Sequence, residues 1–219
     1  MSISITVNPR LTLKDPLSSE IGNRILREGL KLMNELGFEA FTFKKLAQDI
    51  GSTEATIYRY FENKHNLLLY LINWYWGIVD YRLKLATANI SDSHARLLSA
   101  ARVLTAMPSQ EDANTFPEEI HLKLLVIQES GKAINTKAVD DDNQQGVYLL
   151  YKTIVAEVAD IVRACKPEFP YPEMLVTMLI ENANQHRFYS VHLPRLTNAS
   201  VQQDSIEAFS QLIIQKVLL

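Results

Sequence analysis

Apolar residues recur every three or four positions over long stretches of the chain that contain no proline. This spacing places them on one face of an α-helix, whose interior tolerates proline poorly. The clearest stretch ends at Cys165 and follows an acidic triplet at residues 140–142, which favours the positive start of a helix. Its apolar seam consists of Val147, Leu150, Ile154, Val158, Ile161 and Cys165. The pattern predicts one long helix here and an all-α fold for the chain.

Two further helical patterns follow, one between Pro172 and Pro194 and one near the end of the chain. The first consists of Leu175, Met178, Leu179, Ala183 and His186, and the second of Ile206, Phe209, Ile213 and Val217. They predict helices over about 172–192 and 203–218, and so a larger C-terminal helical bundle. Polar residues and prolines make 108–116 and 193–201 the best predicted loops.

Shorter elements, separated by capping residues and glycines, are predicted in the N-terminal part. The caps are Ser18 or Ser19, Thr42 and Thr53 at the helix starts, and Gly37 and Gly51 at the helix ends. Ile57 and Phe61 face inward from the third helix, and Asn63 opens a fourth. Two short helices joined by a tight turn with glycine are typical of a helix-turn-helix, whose second helix lies in the major groove of DNA. About nine helices are expected in total.

Composition agrees with a globular helical protein. Of 219 residues, 47% are hydrophobic and 21% are charged, which excludes a disordered chain. The one cysteine allows no internal disulfide. The longest nearly apolar stretch, 67–79, is shorter than the roughly 20 residues of a membrane span. With no secretory signal in residues 1–17, we expect a soluble, cytoplasmic protein without a membrane partner.

Charge alone does not indicate a nucleic-acid partner. The net charge is −3, with 11 Lys and Arg against 9 Asp and Glu in residues 1–84, and 11 against 16 in the remainder. A DNA-binding domain is usually strongly basic. The surface of the third helix is more informative, because Thr56, Tyr58, Arg59 and Tyr60, with Lys64 beyond them, are left outward when Ile57 is buried. Such side chains bind phosphates and base edges, although a half-buried packing face would have the same composition.

The order of residues in this region resembles the DNA-binding domain of the tetracycline-repressor (TetR) family of transcriptional regulators. The resemblance runs without gaps from Ile21 to about Leu71, and its most specific part is TIYRYFENKHNL, residues 56–67. It implies three N-terminal helices for DNA and a larger helical domain that binds a ligand and forms a dimer. The expected domains are an N-terminal arm over 1–17, a helix-turn-helix domain over 18–65, and a ligand-binding and dimerisation domain over 66–219. A flexible arm is one of the two interpretations considered below.

The resemblance assigns roles to individual residues. It implies contacts with double-stranded DNA for Thr42, Thr53, Thr56, Tyr58, Arg59, Tyr60 and Lys64. Gly37, Ala47, Ile57 and Phe61 match packing positions of the domain. Glu54 departs from the family pattern, since a carboxylate there repels phosphate. It can accept from cytosine N4 or, as we favour, stabilise the helix start.

The N-terminal arm and the C-terminal domain carry less specific signals. Ile3, Ile5 and Val7 alternate in the arm, and its cations Arg10 and Lys14 suit a minor groove, although a flexible terminus is the simpler interpretation. The family's effector binds inside the C-terminal domain and moves the helix that begins near Lys64. An apolar or amphipathic small molecule suits such a pocket. Its candidate wall residues, each of which is also a good core residue, are Trp74, Tyr75, Met107, Phe116, His121, Met178, Phe188 and Tyr189.

No catalytic motif was found. The seven glycines never come closer than seven positions, which excludes the usual glycine-rich phosphate loops and the nucleophile elbow. One Glu-x-x-His, Glu118 to His121, lacks the second pair that a di-iron site needs. We therefore expect no enzyme, no metal and no cofactor. The favoured hypothesis is a ligand-responsive repressor that reads a palindromic operator as a homodimer through its last two long helices. The alternative is a TetR-like small-molecule or protein-binding module with weak or lost DNA binding.

Overall fold

The computed structural model describes residues 5–200 and 205–218, and within these ranges the chain is all-α, as predicted, with no β-strand. Three short 3₁₀ turns occur at Pro9–Leu11, Pro16–Ser18 and Pro194–Leu196. The α-helices are α1 (Glu20–Ala40), α2 (Phe43–Asp49), α3 (Glu54–Tyr58), α4 (Lys64–Thr87), α5 (Ser93–Thr105), α6 (Gln110–Thr115), α7 (Glu119–Ile134), α8 (Val139–Gln144), α9 (Leu149–Cys165), α10 (Pro172–His192) and α11 (Ile206–Leu218). Two six-residue helices, α6 and α8, account for the excess over the nine expected.

The chain packs as two compact units. Unit 1 comprises residues 1–78 and 108–149, and unit 2 comprises residues 79–107 and 150–219. The helix α4 is continuous and contributes residues to both units. These are units of packing, and the functional division at residue 65 stays a prediction.

The predicted caps of unit 1 are confirmed. Ser19 begins α1, where its Oγ accepts from the backbone N–H of Gly22 at 3.2 Å. Thr42 caps α2 and Thr53 caps α3, each through its Oγ1. Asn63 Oδ1 accepts from the Asn66 N–H at 2.9 Å at the start of α4. These contacts span three residues, which is why the sequence alone reveals them.

The core of unit 1 is formed by the inward faces of its helices. Ile57 and Phe61 are fully buried, as predicted. Other fully buried members are Ile25, Leu26, Met33, Phe41, Leu46 and Leu67. Gly37 has φ 76°, a conformation that favours glycine, and it kinks α1 before the last turn of that helix. The predicted end of the regular helix at Gly37 is therefore confirmed.

The helix α7 packs along α1, and polar contacts along its length hold it there. Arg27 Nε pairs with Glu118 Oε1 at 3.1 Å, and Asn34 Nδ2 donates to the His121 carbonyl at 3.0 Å. Near the kink, Glu129 Oε1 accepts from the Phe38 N–H at 2.9 Å. The Glu129 residue is 4% exposed, so this bond is well shielded. Together, these contacts attach α7 to the helix that precedes the helix-turn-helix.

Two local predictions around residues 108–147 were wrong. Residues 110–115 form α6 rather than a loop, because Ser109 and Asp112 make a reciprocal capping box. The triplet at 140–142 does not begin the long helix. It lies in the first turn of α8, and Gly146 with φ 76° separates that helix from α9. The acidic residues do stand at a helix start, as their charge indicated, but the helix is a separate short one.

Unit 2 is built from the end of α4 with α5, α9, α10 and α11. The α9 prediction is confirmed at its core, since Ile154, Val158 and Ile161 are buried. The helix α10 has the predicted bounds, and α11 begins at Ile206; the predicted start at 203 lies outside the described residues. Both α10 and α11 pack against α5. None of the helices that the structure describes is long and apolar enough to cross a membrane.

The buried faces of α10 and α11 differ from the predicted seams. In α11, Ile206, Ser210, Ile214 and Leu218 are buried, whereas Phe209 of the predicted seam is 46% exposed. In α10, Leu175, Leu179 and Ala183 are buried as predicted, but Met178 is 44% exposed. Each helix therefore has apolar residues on more than one face, and spacing alone does not select the face that packs within the protomer.

Candidate nucleic-acid interface

The helix-turn-helix is formed by α2, a turn at residues 50–53, and α3. The turn closes where the Ser52 N–H donates to the Ala47 carbonyl at 2.8 Å and Gly51 adopts φ 60°. Arg24 of α1 supports it, because its Nη2 donates to the Ile50 carbonyl at 2.6 Å. The turn is thus held from within the unit, and α3 is fixed relative to α2.

The residues predicted to contact DNA at the start and end of α3 are accessible to solvent at least in part. The Oγ1 atoms of Thr53 and Thr56 lie 3.1 Å apart and Thr53 is exposed, while Thr56 is half-buried. Tyr58 is 49% exposed and packs the edge of its ring against Phe43 at 5.1 Å between centroids. Arg59, the C-cap of α3, is exposed. A guanidinium and a phenol so placed can reach the edges of bases.

Tyr60 does not point outward, so that placement was wrong. The residue is 2% exposed, and its hydroxyl shares a hydrogen bond of 2.8 Å with Ser19 Oγ. The Lys14 ammonium lies over the ring, 5.2 Å from its centroid. The Ser19 hydrogen bond, together with Lys14, lowers the pKa of Tyr60. The periodicity of α3 could not show this, because the covering residues precede α1.

Lys64 is engaged with the end of α1. Its Nζ donates to the carbonyls of Phe38 at 2.9 Å, Glu39 at 3.2 Å and Phe41 at 3.2 Å, and it lies 4.5 Å from the centroid of the Phe38 ring. An ammonium has three donors, and all three have partners here. The phosphate contact implied for Lys64 stays a prediction, and the structure adds a capping role for this side chain.

Two features near this surface were not among the predictions. Lys44 on α2 is exposed, two residues after the Thr42 cap, and the Lys-Lys pair at 44–45 was the signal for it. The expected arm, residues 1–17, contains the 3₁₀ turn Pro9–Leu11 and most of the turn Pro16–Ser18, with Leu11 and Pro16 buried. The signal for them was an apolar residue between two prolines, each preceded by Asn or Asp. Ile3 of the arm lies outside the described residues.

The candidate effector residues are divided between the two units. Trp74, Tyr75, Phe116 and His121 belong to unit 1, and Met107, Met178, Phe188 and Tyr189 belong to unit 2. Tyr75 and Phe116 are buried, whereas His121 and Met178 are exposed. In the core of unit 1 the fully buried Lys123 places its ammonium 5.4 Å from the centroid of the Tyr75 ring. Tyr75 is therefore already part of a buried cation–π contact.

Two cavities lie in unit 2. The larger, of about 720 Å³, lies between α10, α11 and the segment that joins them, and His186, Thr197 and Phe209 are among its lining residues. His186 Nδ1 and Thr197 Oγ1 lie 2.9 Å apart there. The smaller, of about 520 Å³, has charged walls from Lys84, Arg96, Glu157 and Asp160. Neither cavity is lined by any of the eight candidate effector residues.

Two further observations concern metal binding and cysteine chemistry. Across the described ranges no group of three or more His, Cys, Asp and Glu side chains could hold a metal ion. Burial raises the pKa of the Cys165 thiol, which leaves it less reactive than an ordinary cysteine. The exposed residues of α3 and the fixed turn before it thus define a helix-turn-helix DNA-binding domain, which further helices follow.

Comparison with known proteins identifies the N-terminal domain. Residues 25–71 match the family model of the bacterial regulatory proteins of the tetR family. This stretch therefore carries a TetR-type regulatory domain that contains the helix-turn-helix. A comparison with curated proteins gave no match.

Solved structures extend the likeness of the fold to most of the chain. The regulator PfmR from Thermus thermophilus is 17% identical with a TM-score of 0.58, over 89% of this chain and 94% of its own. A regulator from Saccharomonospora viridis, solved in complex with choline, is 17% identical with a TM-score of 0.64, over 88% and 94%. The superantigen PfiT is 16% identical with a TM-score of 0.60, over 94% and 98%. At these identities the likeness concerns the fold.

Proposed function

We propose that this protein is a homodimeric, ligand-responsive repressor that reads a palindromic operator in the cytoplasm. The observation that carries the proposal is the exposed end of α3. There Tyr58 and Arg59 project from a helix that is fixed by the Arg24 contact and by the Thr53 cap. A side chain reads a base edge only if its backbone is held in place, and α3 meets that condition.

Within this proposal, Arg59 reads a base and the threonines contact phosphates. The guanidinium fork fits the O6 and N7 acceptors of guanine. Thr42 Oγ1 accepts from the Lys45 N–H, so its hydroxyl proton stays available for a phosphate oxygen. Thr53 and Thr56 share a hydrogen bond of 3.1 Å between their Oγ1 atoms, which leaves one of the two hydroxyl protons for a phosphate. Glu54 is the first residue of α3 and exposed, where its carboxylate suits the helix start.

Exposed apolar residues on α10 and α11 support the homodimer. On α10, Met174 is 67% exposed and Met178 is 44% exposed, one turn apart. On α11, Phe209 and Leu212 are 46% and 47% exposed. Apolar side chains that lie one turn apart on an accessible helix face can form a patch that a second protein surface covers. We assign these faces to a second copy of the chain, which would form a four-helix interface.

The effector in this proposal is an apolar or amphipathic small molecule. The choline complex of the Saccharomonospora viridis protein is a precedent for a small organic ligand in this fold. The 720 Å³ cavity of unit 2 has a suitable size for such a molecule. The eight aromatic, sulfur and histidine candidates stay predictions for the wall of an effector site. Effector binding would change the affinity for DNA through α4, which supplies residues to both units.

Selection of bound duplexes from a random pool tests the proposal. Recovery of an inverted repeat with half-sites about one helical turn or more apart is the expected result, because a two-fold dimer reads two equivalent half-sites. Recovery of single, unpaired half-sites would contradict the dimer. A pool without enrichment would contradict DNA reading altogether.

The rival function is a TetR-like module that binds a small molecule or a protein and has weak or lost DNA affinity. Buried Tyr60, exposed Glu54 and the low positive charge favour it, and the superantigen neighbour illustrates that one fold serves different functions. Fluorescence anisotropy with the selected duplex at two salt concentrations separates the two functions. A repressor shows tight, sequence-dependent binding that weakens with salt, whereas the module shows neither property.

A further inference from the structure

The segment that precedes α1 is attached to the end of the recognition helix. The Leu13 N–H donates to the Tyr60 carbonyl at 2.8 Å. Leu11, two residues earlier, is 3% exposed, and Pro16 packs so closely on Gly22 that a Cβ there would overlap the proline backbone. Buried anchors therefore stand on both sides of Lys14, and this lysine is held beside the residue that follows Arg59.

Lys14 itself is exposed and makes no ion pair with any acidic side chain that the structure describes. Its neighbour Asp15 accepts from the Leu17 N–H at 2.9 Å and caps the second 3₁₀ turn. The Lys14 ammonium instead lies 5.2 Å from the centroid of the Tyr60 ring. An aromatic face attracts a cation and restricts its position, while the ammonium keeps donors for a further acceptor.

The resemblance to TetR regulators implies a phosphate contact at Tyr60, yet its phenol is covered and bonded to Ser19. The covering cation is Lys14, so at this position an exposed ammonium, rather than the phenol, lies at the surface next to exposed Arg59. We propose that Lys14 contacts the DNA backbone in place of Tyr60, and that Tyr60 is the positioning residue for Lys14. This inference rests on the proposed DNA-binding function and adds the pre-helical segment to its interface.

A backbone phosphate is the partner that this arrangement fits. One ammonium on an aromatic platform offers a positive charge without the fork that reads base edges. The contact would be independent of sequence and dependent on salt, because a bound cation releases counterions from the duplex. It differs from insertion of an arm into the minor groove, since Leu11 and Pro16 keep the segment on the protein.

The test measures affinity for the selected duplex against salt concentration for four variants. Lys14→Ala removes the cation, and Lys14→Arg restores it. Lys31→Ala is the matched control, because it makes the same change in net charge on α1, where Lys31 Nζ pairs with Glu28 at 3.3 Å. Tyr60→Phe removes the hydroxyl and keeps the ring. Circular dichroism confirms that each variant is folded.

We expect Lys14→Ala to reduce the slope of log affinity against log salt by about 0.9, which amounts to about eightfold weaker binding at 0.1 M salt relative to 1 M. Lys14→Arg, Lys31→Ala and Tyr60→Phe should keep the wild-type slope. An unchanged slope for Lys14→Ala in a wild-type background that binds DNA overturns this inference and leaves the proposed function standing. A tenfold loss of affinity for Tyr60→Phe, with no effect of Lys14→Ala, would show that Tyr60 and not Lys14 contacts the phosphate. Wild-type protein that binds no duplex overturns both proposals.

Discussion

Replacement of Lys64 by methionine tests whether this side chain stabilises the fold. Methionine keeps much of the aliphatic stem and removes the ammonium that now caps three carbonyls at the end of α1. The bonds to Phe38 and Phe41 are partly buried, and that to Glu39 is exposed. A hydrogen bond to a charged group contributes about 1.5 kcal/mol or more when water is excluded. Two such bonds predict a loss of about 3 kcal/mol in the free energy of unfolding, with the exposed bond adding little.

Lys45→Met is the matched control. Lys45 Nζ also donates to a carbonyl at the end of α1, that of Ala40 at 2.8 Å, but this single bond is exposed. We expect its removal to cost less than about 1 kcal/mol, because water replaces it. Both variants lose one positive charge near the same helix end, so the dipole contribution is similar.

Urea denaturation followed by circular dichroism measures both changes at one protomer concentration, because dimer stability depends on concentration. A difference of about 2 kcal/mol between the two variants is the expected result. Equal losses would refute the reasoning that three converging carbonyls make Lys64 a structural cap. If Lys64 also contacts phosphate, its variant should in addition bind all duplexes more weakly and show a flatter salt dependence.

Three further substitutions test the site and the packing around it. Arg59→Ala should weaken operator binding by about 1–3 kcal/mol and relax the preference at one base pair in a repeated selection; a loss that is equal for all sequences would exclude base readout. Gly22→Ala should destabilise the protein by about 1–3 kcal/mol in urea, because its methyl group overlaps Pro16, and wild-type stability would contradict that packing. Burial, and then Asp142, raises the pKa of Tyr148 to about 12. The stability this residue contributes is thus complete below pH 10 and lost as pH rises to 12. Tyr148→Phe should flatten the fall in unfolding free energy over that range, and an unaltered pH profile would contradict the assignment.

The sequence alone was enough to predict the helical class, the helix starts between Ser19 and Asn63, and the helix-turn-helix. Each of four polar side chains accepts from a backbone N–H three residues later, namely those of Ser19, Thr42, Thr53 and Asn63. Gly37 ends the regular part of α1 through its own positive φ, which depends on no distant residue. These contacts lie within one turn of the chain, where spacing and residue type contain the necessary information. The family model matches this same stretch, because the residues that specify it are close in sequence.

The tertiary structure was needed to show that Tyr60 is covered, that Lys64 is bonded to the end of α1, and that Phe209 is exposed. Tyr60 is covered by a segment 41 or more residues earlier, Lys64 bonds to carbonyls 23 to 26 residues away, and Glu129 bonds to Phe38 across 91 residues. Helix periodicity shows that Phe209 belongs to an apolar set. Only packing against the other helices of unit 2 shows that Ile206 and Ser210 face inward and Phe209 outward. Side-chain exposure depends on contacts between elements distant in the chain, and no local pattern specifies those contacts.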